Sequence, residues 1–352
     1  MKLFTTQIPP DYHRIVDAVY NRKPDILPLY EHNVSYEVIG NLTGTELPEL
    51  MERDPDAGFR IYNDFFRRVG YDVVTFEQCI TSAMPSGGAL CGGMGPIQDR
   101  ATLNTFPWQA IPARWYEMAA PRFEALGRHM PKGMKAIGGV GNGTFEIAED
   151  LVGLQFLPFL EADDPEAYAD LFLRIGDLMT TVWERFMNEF GELYCVCRFG
   201  DDLGFRSSLL TMPSTIRKHV IPQYRRVIDL VHAAGKPFLL HSCGCIFEVM
   251  DDLISAGIDA KHSNEDAIAP FERWIADYGD RIGLLGGIDM DFIVSRDAET
   301  IRATVMEKAR AFRRLTRGYA VGTGNSIPNY VPAQNYLAML EAVESIRQQE
   351  MV

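Results

Sequence analysis

In the stretch PFLLHSCGCIF (237–247), His241 and Cys243 stand two residues apart at the end of an apolar run. Residues two apart on an extended chain project to the same face. An imidazole and a thiol can therefore aim at one point while Ser242 turns away. Imidazole nitrogen and thiolate sulfur are the usual donors to zinc, so the spacing predicts two metal ligands. The bland alternative is a core cysteine beside a hydrogen-bonded histidine. Cys245 keeps the parity, but Gly244 bends the chain before it. A second C-x-C, Cys195 and Cys197, reads mainly as small buried residues. The absence of C-x-x-C argues against a thioredoxin-like couple.

These two residues need elements that hold them. Eight short apolar runs alternate with helical periodicity: 25–32, 72–78, 135–142, 193–202, 237–244, 259–266, 282–289 and 319–325. Between them, Ile216, Val220, Tyr224, Val227, Ile228 and Val231 share one helical face, and Gly235 stops that helix. Another helix opens at DPEAYADL with acidic residues in its first turn. Strands alternating with helices imply a parallel sheet, and eight is the number that closes an α/β (β/α)8 TIM barrel. We expect a single barrel domain over residues 1–352. A doubly wound open sheet is the alternative, but no G-x-G-x-x-G opens a helix after the first run. The glycine-rich segment 79–112 is expected to be a long loop over the barrel mouth, a lid or substrate wall.

Active sites of such barrels sit at the C-terminal ends of the strands. Those ends carry His32, Glu77, Asn142, Asp201, Asp202, Glu265, Asp289 and Asn325 beside His241 and Cys243. We expect Asp201, Asp202 and Glu77 in acid–base or ligand-orienting roles, and His32, Asn142, Asp289 and Asn325 against substrate. For Asn142, Asp201, Asp202 and Asn325, solvent-facing turn residues are an equal alternative.

Lys and Arg number 34 against 48 Asp and Glu, a formal charge of −14. Such a surface repels nucleic-acid phosphates and anionic lipid. No apolar run reaches the ~18 residues of a membrane span, and the N-terminus lacks the pattern of a signal peptide. Six cysteines in 352 residues read as thiols of a reducing cytoplasm.

HSCG at 241–244, GGIDMD at 286–291, and VGTGNSIP at 321–328 before AQNYLAMLEAV resemble the uroporphyrinogen decarboxylase superfamily. That superfamily includes decarboxylases of haem synthesis and zinc-dependent methylcobamide:coenzyme M methyltransferases. The resemblance implies that His241 and Cys243 are two zinc ligands. It also sets Thr323 where the methyltransferases carry a third, cysteine ligand. A carboxylate can substitute: Glu265, on the neighbouring run, is the first choice and Glu77 the second. The decarboxylase branch implies an arginine-rich segment after the first run, and none is found in LYEHNVSYEVIGNLTG. The reading that results is a corrinoid-linked methyltransferase, a demethylase-type component. It would use zinc, a methylated small molecule, and methylcobalamin or a corrinoid protein as methyl carrier, assembled as a homodimer. A uroporphyrinogen decarboxylase-like carboxy-lyase of porphyrin biosynthesis is the alternative, and a non-catalytic corrinoid- or tetrapyrrole-binding barrel a further one.

Overall fold

A computed structural model describes residues 3–85 and 93–351. Seven strands form one parallel sheet in chain order: β1 (Val73–Cys79), β2 (Lys135–Gly141), β3 (Tyr194–Gly200), β4 (Phe238–His241), β5 (Ala260–His262), β6 (Gly283–Ile288) and β7 (Tyr319–Thr323). Each is followed by at least one helix, so helices cover the outside of a curled α/β sheet. Both faces are covered, which is why runs such as YCVCRFG are buried at every position.

The first apolar run, expected as an eighth strand, is not one. It makes a single parallel bridge, Leu29 to Val321 of β7. The Tyr30 N–H donates to the Val321 carbonyl at 2.9 Å, and the Val321 N–H to the Pro28 carbonyl at 3.0 Å. Pro24 and Pro28 have no N–H to give a ladder, which limits pairing here. Toward β1 the link is a side chain: the Thr75 hydroxyl donates to the His32 carbonyl at 2.8 Å.

The sequence-derived helices are present. Ile221–Ala233 follows a short π turn at Ile216–Val220, and all six residues of the expected face are buried. Asp164 caps Pro165–Phe190 by accepting from the Ala167 N–H. The segment 79–112 is less irregular than expected. A capping box formed by Asp99 and Thr102 starts a helix at Arg100–Thr105, and Ile111 begins a helix that runs to Arg128. Gly95 and Ile97 hydrogen-bond the carbonyls of Val152 and Leu151. Residues 86–92 of the expected lid lie outside the described residues.

The sheet's interior is a small apolar cluster to which every strand contributes: Val73, Ile137, Val196, Leu239, Ala260, Leu285 and Ala320, joined by Tyr30 and by Ile15, Ala18 and Val19 of the helix His13–Val19. The larger core lies between sheet and helices. No described helix is long and apolar enough to cross a membrane.

Candidate active site

Side chains two apart share a face, so a step of two residues along a strand leads from this apolar layer to the next layer inside. Val73 is followed by Thr75 and then Glu77, Val196 by Arg198, Leu239 by His241 and then Cys243, and Ala260 by His262. The apolar floor thus gives way to a polar layer at the strands' C-terminal ends.

Arg198 is 1% exposed and ties this layer together. It donates to Glu77 Oε2 from Nε at 3.0 Å and from Nη2 at 2.7 Å. Its Nη1 reaches Tyr30 Oη at 2.8 Å and Thr75 Oγ1 at 3.0 Å. A buried guanidinium needs such partners, because an unpaired one would be prohibitively costly.

Three histidines meet beside this ion pair. His32 stacks on His241 with centroids 3.7 Å apart, and the Nδ1 atoms of His241 and His262 are 2.8 Å apart. The Nε2 of His262 lies 2.9 Å from the Thr323 carbonyl. Burial pulls His32 and His241 well below the usual imidazole range and His262 to about 3. All three rings are therefore neutral at neutral pH.

Register explains the meeting: His241 and His262 are direct partners in the β4–β5 pairing.

His241 Nε2 faces Cys243 Sγ at 3.4 Å. Two donors on one tetrahedral zinc, at bond lengths of about 2.05 and 2.3 Å, lie about 3.5 Å apart, so this pair fits a shared ion. The Cys243 N–H donates to Asp202 Oδ1 at 2.9 Å. Ligand atoms of Asp202, His241 and Cys243 lie within 4.8 Å of one another. Burial and Asp202 push the Cys243 thiol pKa up. The loop is held by backbone contact. Gly244 has φ +85° and abuts the Gly204 backbone, where a Cβ would collide.

The other sequence-derived residues divide. Glu265 is outside the ligand-atom groups; its Oε1 accepts from Asn325 Nδ2 at 2.5 Å, and that nitrogen is also 3.6 Å from Cys243 Sγ. Thr323 does not face Cys243. Its hydroxyl pairs with Glu31 Oε2 at 2.5 Å and its N–H with Glu31 Oε1 at 3.0 Å. Burial raises the pKa of Glu31 to about 8. Asp201 is fully buried, accepting from Tyr224 Oη and from the N–H groups of Phe145 and Glu146. It caps the helix Thr144–Val152 from outside that helix. Burial raises its pKa to about 7 against the opposing pull of those three donors. Asn142 ties Thr81 to Glu146, and Asp289 caps its own helix through the Phe292 N–H. Asp201 and Asn142 are committed to holding loops, whereas Asp289 also borders a cavity at the site.

Two cavities flank the site. One, of about 250 Å³, is lined by His32, Tyr36, Tyr62, Glu77, Cys79 and Arg198 among others. The other, of about 370 Å³, is lined by Arg206, Glu265, Asp289, Asn325 and Tyr330 among others. Ser326 borders both.

Residues 123–346 match the family model described as uroporphyrinogen decarboxylase (URO-D). The chain belongs to the URO-D family. Among solved structures, a methyltransferase from Methanosarcina mazei superposes with a TM-score of 0.69 at 16% identity, over 97% of this chain and 99% of that one. At that identity the likeness speaks for the fold. A sugar phosphate isomerase/epimerase from Parabacteroides distasonis aligns over 92% of both chains at 12% identity with a TM-score of 0.32. An ochratoxinase from A. niger aligns over 92% of this chain and 71% of its own at 11% identity with a TM-score of 0.34. Neither score bears on fold or chemistry. No curated protein matches the sequence.

In this URO-D family member, sequence reasoning missed Arg198, His262 and Glu146, and gave Glu31 no role beyond that of a polar strand end. A signal existed for two of them. An arginine inside the buried run YCVCRFG requires a buried partner, and His262 stands at the end of a strand next to that of His241. Glu31 and Glu146 sit where sequence spacing carries no sign of what faces them.

Proposed function

We propose that the chain is a metal-dependent methyltransferase of corrinoid-linked type, with zinc held by His241, Cys243 and Asp202. The observation that carries this reading is the 3.4 Å approach of His241 Nε2 to Cys243 Sγ with a carboxylate against the same pair. Asp202 takes the third place that spacing had suggested for Glu265, which stands instead at the wall of the larger cavity. Zinc bound here would supply Lewis acidity, favouring the anion left when a methyl group departs. One thiolate and one carboxylate leave the metal more positive than two thiolates would, which suits a hard oxygen leaving group, a methoxy compound, over a soft thiol.

A reduced corrinoid carrier would supply the electron pair for the new bond to the methyl carbon, and the C–O pair would remain on the leaving oxygen. The residues of the chain bind and orient. Glu77, fixed by Arg198 through Oε2, lines the smaller cavity, where it would hold a hydroxyl of the substrate. Tyr36 lines the same cavity and would pack against an aromatic body. In this reading the seven-stranded sheet would be the wall of a (β/α)8-type barrel, with the run 25–32 filling the gap between β7 and β1.

Zinc titration of metal-free protein tests the reading. The parent is expected to bind one zinc per chain, with affinity lost in His241→Ala and strongly reduced in Cys243→Ser. Unchanged binding in both variants sinks the metal site, and with it the methyltransferase reading. The family's decarboxylase chemistry would then be preferred, and formation of coproporphyrinogen from uroporphyrinogen would establish it.

A further inference from the structure

The backbone carbonyl of Thr323 can only accept a hydrogen bond, so His262 Nε2, 2.9 Å away, carries a hydrogen. The Nδ1 atoms of His262 and His241 are 2.8 Å apart, with room for one hydrogen between them. With His241, 5% exposed, kept neutral by its burial, two assignments satisfy both contacts. In one, His262 is neutral with its lone pair on Nδ1, and His241 carries its hydrogen on Nδ1. In the other, His262 is an imidazolium that donates to His241, whose hydrogen is then on Nε2. The second puts a cation at a position with 0% exposure. The ring's hydrogen-bond partners there are His241 and a carbonyl, and the fixed charge acting on it is the Arg198 guanidinium. Burying a charge beside a like charge with no anionic partner is strongly unfavourable, which leaves the first.

We infer that His262 is a positioning residue that fixes His241 as its Nδ1–H tautomer, so that the Nε2 lone pair points at Cys243 Sγ. The Thr323 carbonyl orients His262, His262 orients His241, and the stacked ring of His32 at 3.7 Å holds the His241 plane against rotation. Only this tautomer presents a bare nitrogen to the position that the thiol also faces. The opposite one would aim an N–H at it and block a metal ion. Thr323 thus contributes through its backbone, while its side chain is occupied by Glu31. The use of the lone pair rests on the metal reading above; the tautomer itself does not.

The test uses the full chain with histidine rings labelled with nitrogen-15, first without zinc. The His241 signals, assigned by their loss in His241→Asn, should show hydrogen on Nδ1 in the parent. His262→Gln keeps the same polarity, since its amide oxygen can accept from His241 and its amide nitrogen can donate to Thr323. It should retain the parent tautomer and near-parent zinc affinity. His262→Phe fills the space but accepts nothing. It should shift His241 toward Nε2–H and weaken zinc binding about 10- to 100-fold. An Nε2–H signal for His241 in the parent overturns the inference, as does a folded His262→Phe with parent tautomer and parent zinc affinity. If His262→Phe does not fold, the parent spectrum and His262→Gln decide. A parent that shows the Nδ1–H tautomer yet takes up no zinc upholds the positioning role and removes the metal reading alone.

Discussion

Glu31 is 1% exposed, and its side-chain contacts are the hydroxyl and N–H of Thr323. Burial raises its pKa from 4.5 to about 8, so at neutral pH the folded state holds it as the acid. The carboxyl O–H then donates to Thr323 Oγ1, and the Thr323 hydroxyl donates to the Asn325 carbonyl at 2.9 Å. The sign of the linkage follows. Below the ordinary value of 4.5 both folded and unfolded states are protonated, and the stabilising contribution is fully present. Between 4.5 and about 8 only the folded state keeps the proton, so stability falls with rising pH, by at most about 1.4 kcal/mol per pH unit. Glu31→Gln can make the same two contacts without a proton to lose. Denaturant midpoints measured from pH 5 to pH 8 should decline less steeply in Glu31→Gln than in the parent. Equal slopes would show that Glu31 is ionised in the folded protein.

The helix Thr144–Val152 has glycine at its N-cap, which has no side chain to accept from the first N–H groups. Asp201 takes that place from the end of β3. Gly143 permits the approach, because a Cβ there would collide with the Asp201 carboxylate. Asp201 thus has a structural role: two hydrogen bonds, from Phe145 and Glu146, lock the β2 loop to the β3 loop that carries Asp202, and a third, from Tyr224, ties it to the helix Ile221–Ala233. Asp201→Ala should cost about 1–2 kcal/mol for the lost cap, with more for the orphaned Tyr224 hydroxyl. Zinc affinity should change far less than in Asp202→Ala. Parallel unfolding and zinc titrations of the two variants check this: a collapse of zinc binding in a folded Asp201→Ala would return Asp201 to the site itself. Gly143→Ala should mimic the stability loss of Asp201→Ala.

At the scale of the whole molecule, both ends of the chain converge on one carboxylate just before β1. Asp72 is 0% exposed and receives Arg14 at 2.9 Å from the N-terminal helix and Arg347 at 2.9 Å from the helix Ala333–Glu350. Arg347 also donates to the Leu27 carbonyl at 2.8 Å. Asp72→Asn takes the ionic partner from the buried Arg347 and leaves Arg14 with Asp25 alone, and the expected loss is about 3–5 kcal/mol. Because one apolar core spans the chain from Leu3 to Ile346, tryptophan fluorescence and far-ultraviolet circular dichroism should report the same single transition in parent and variant. Two separated transitions would mean that the ends form a unit of their own. The sequence by itself determined the alternation of strands and helices, the helical face from Ile216 to Val231, and the pairing of His241 with Cys243. Each follows from local periodicity, which burial on one face imposes and which can be read along the chain. It also placed polar residues at the strand ends, but not their roles. Asp201 and Asn142 look alike beside Asp202 in sequence, and only tertiary structure separates caps and loop ties from groups that face the site. The reduction of the run 25–32 to a single bridge, the Arg198–Glu77 pair, and the contacts from Thr323 through His262 to His241 were likewise decided there. These contacts join residues distant in the chain, 121 positions apart in the case of Arg198 and Glu77, and strand register and hydrogen-bond completion create them only once the sheet has curled.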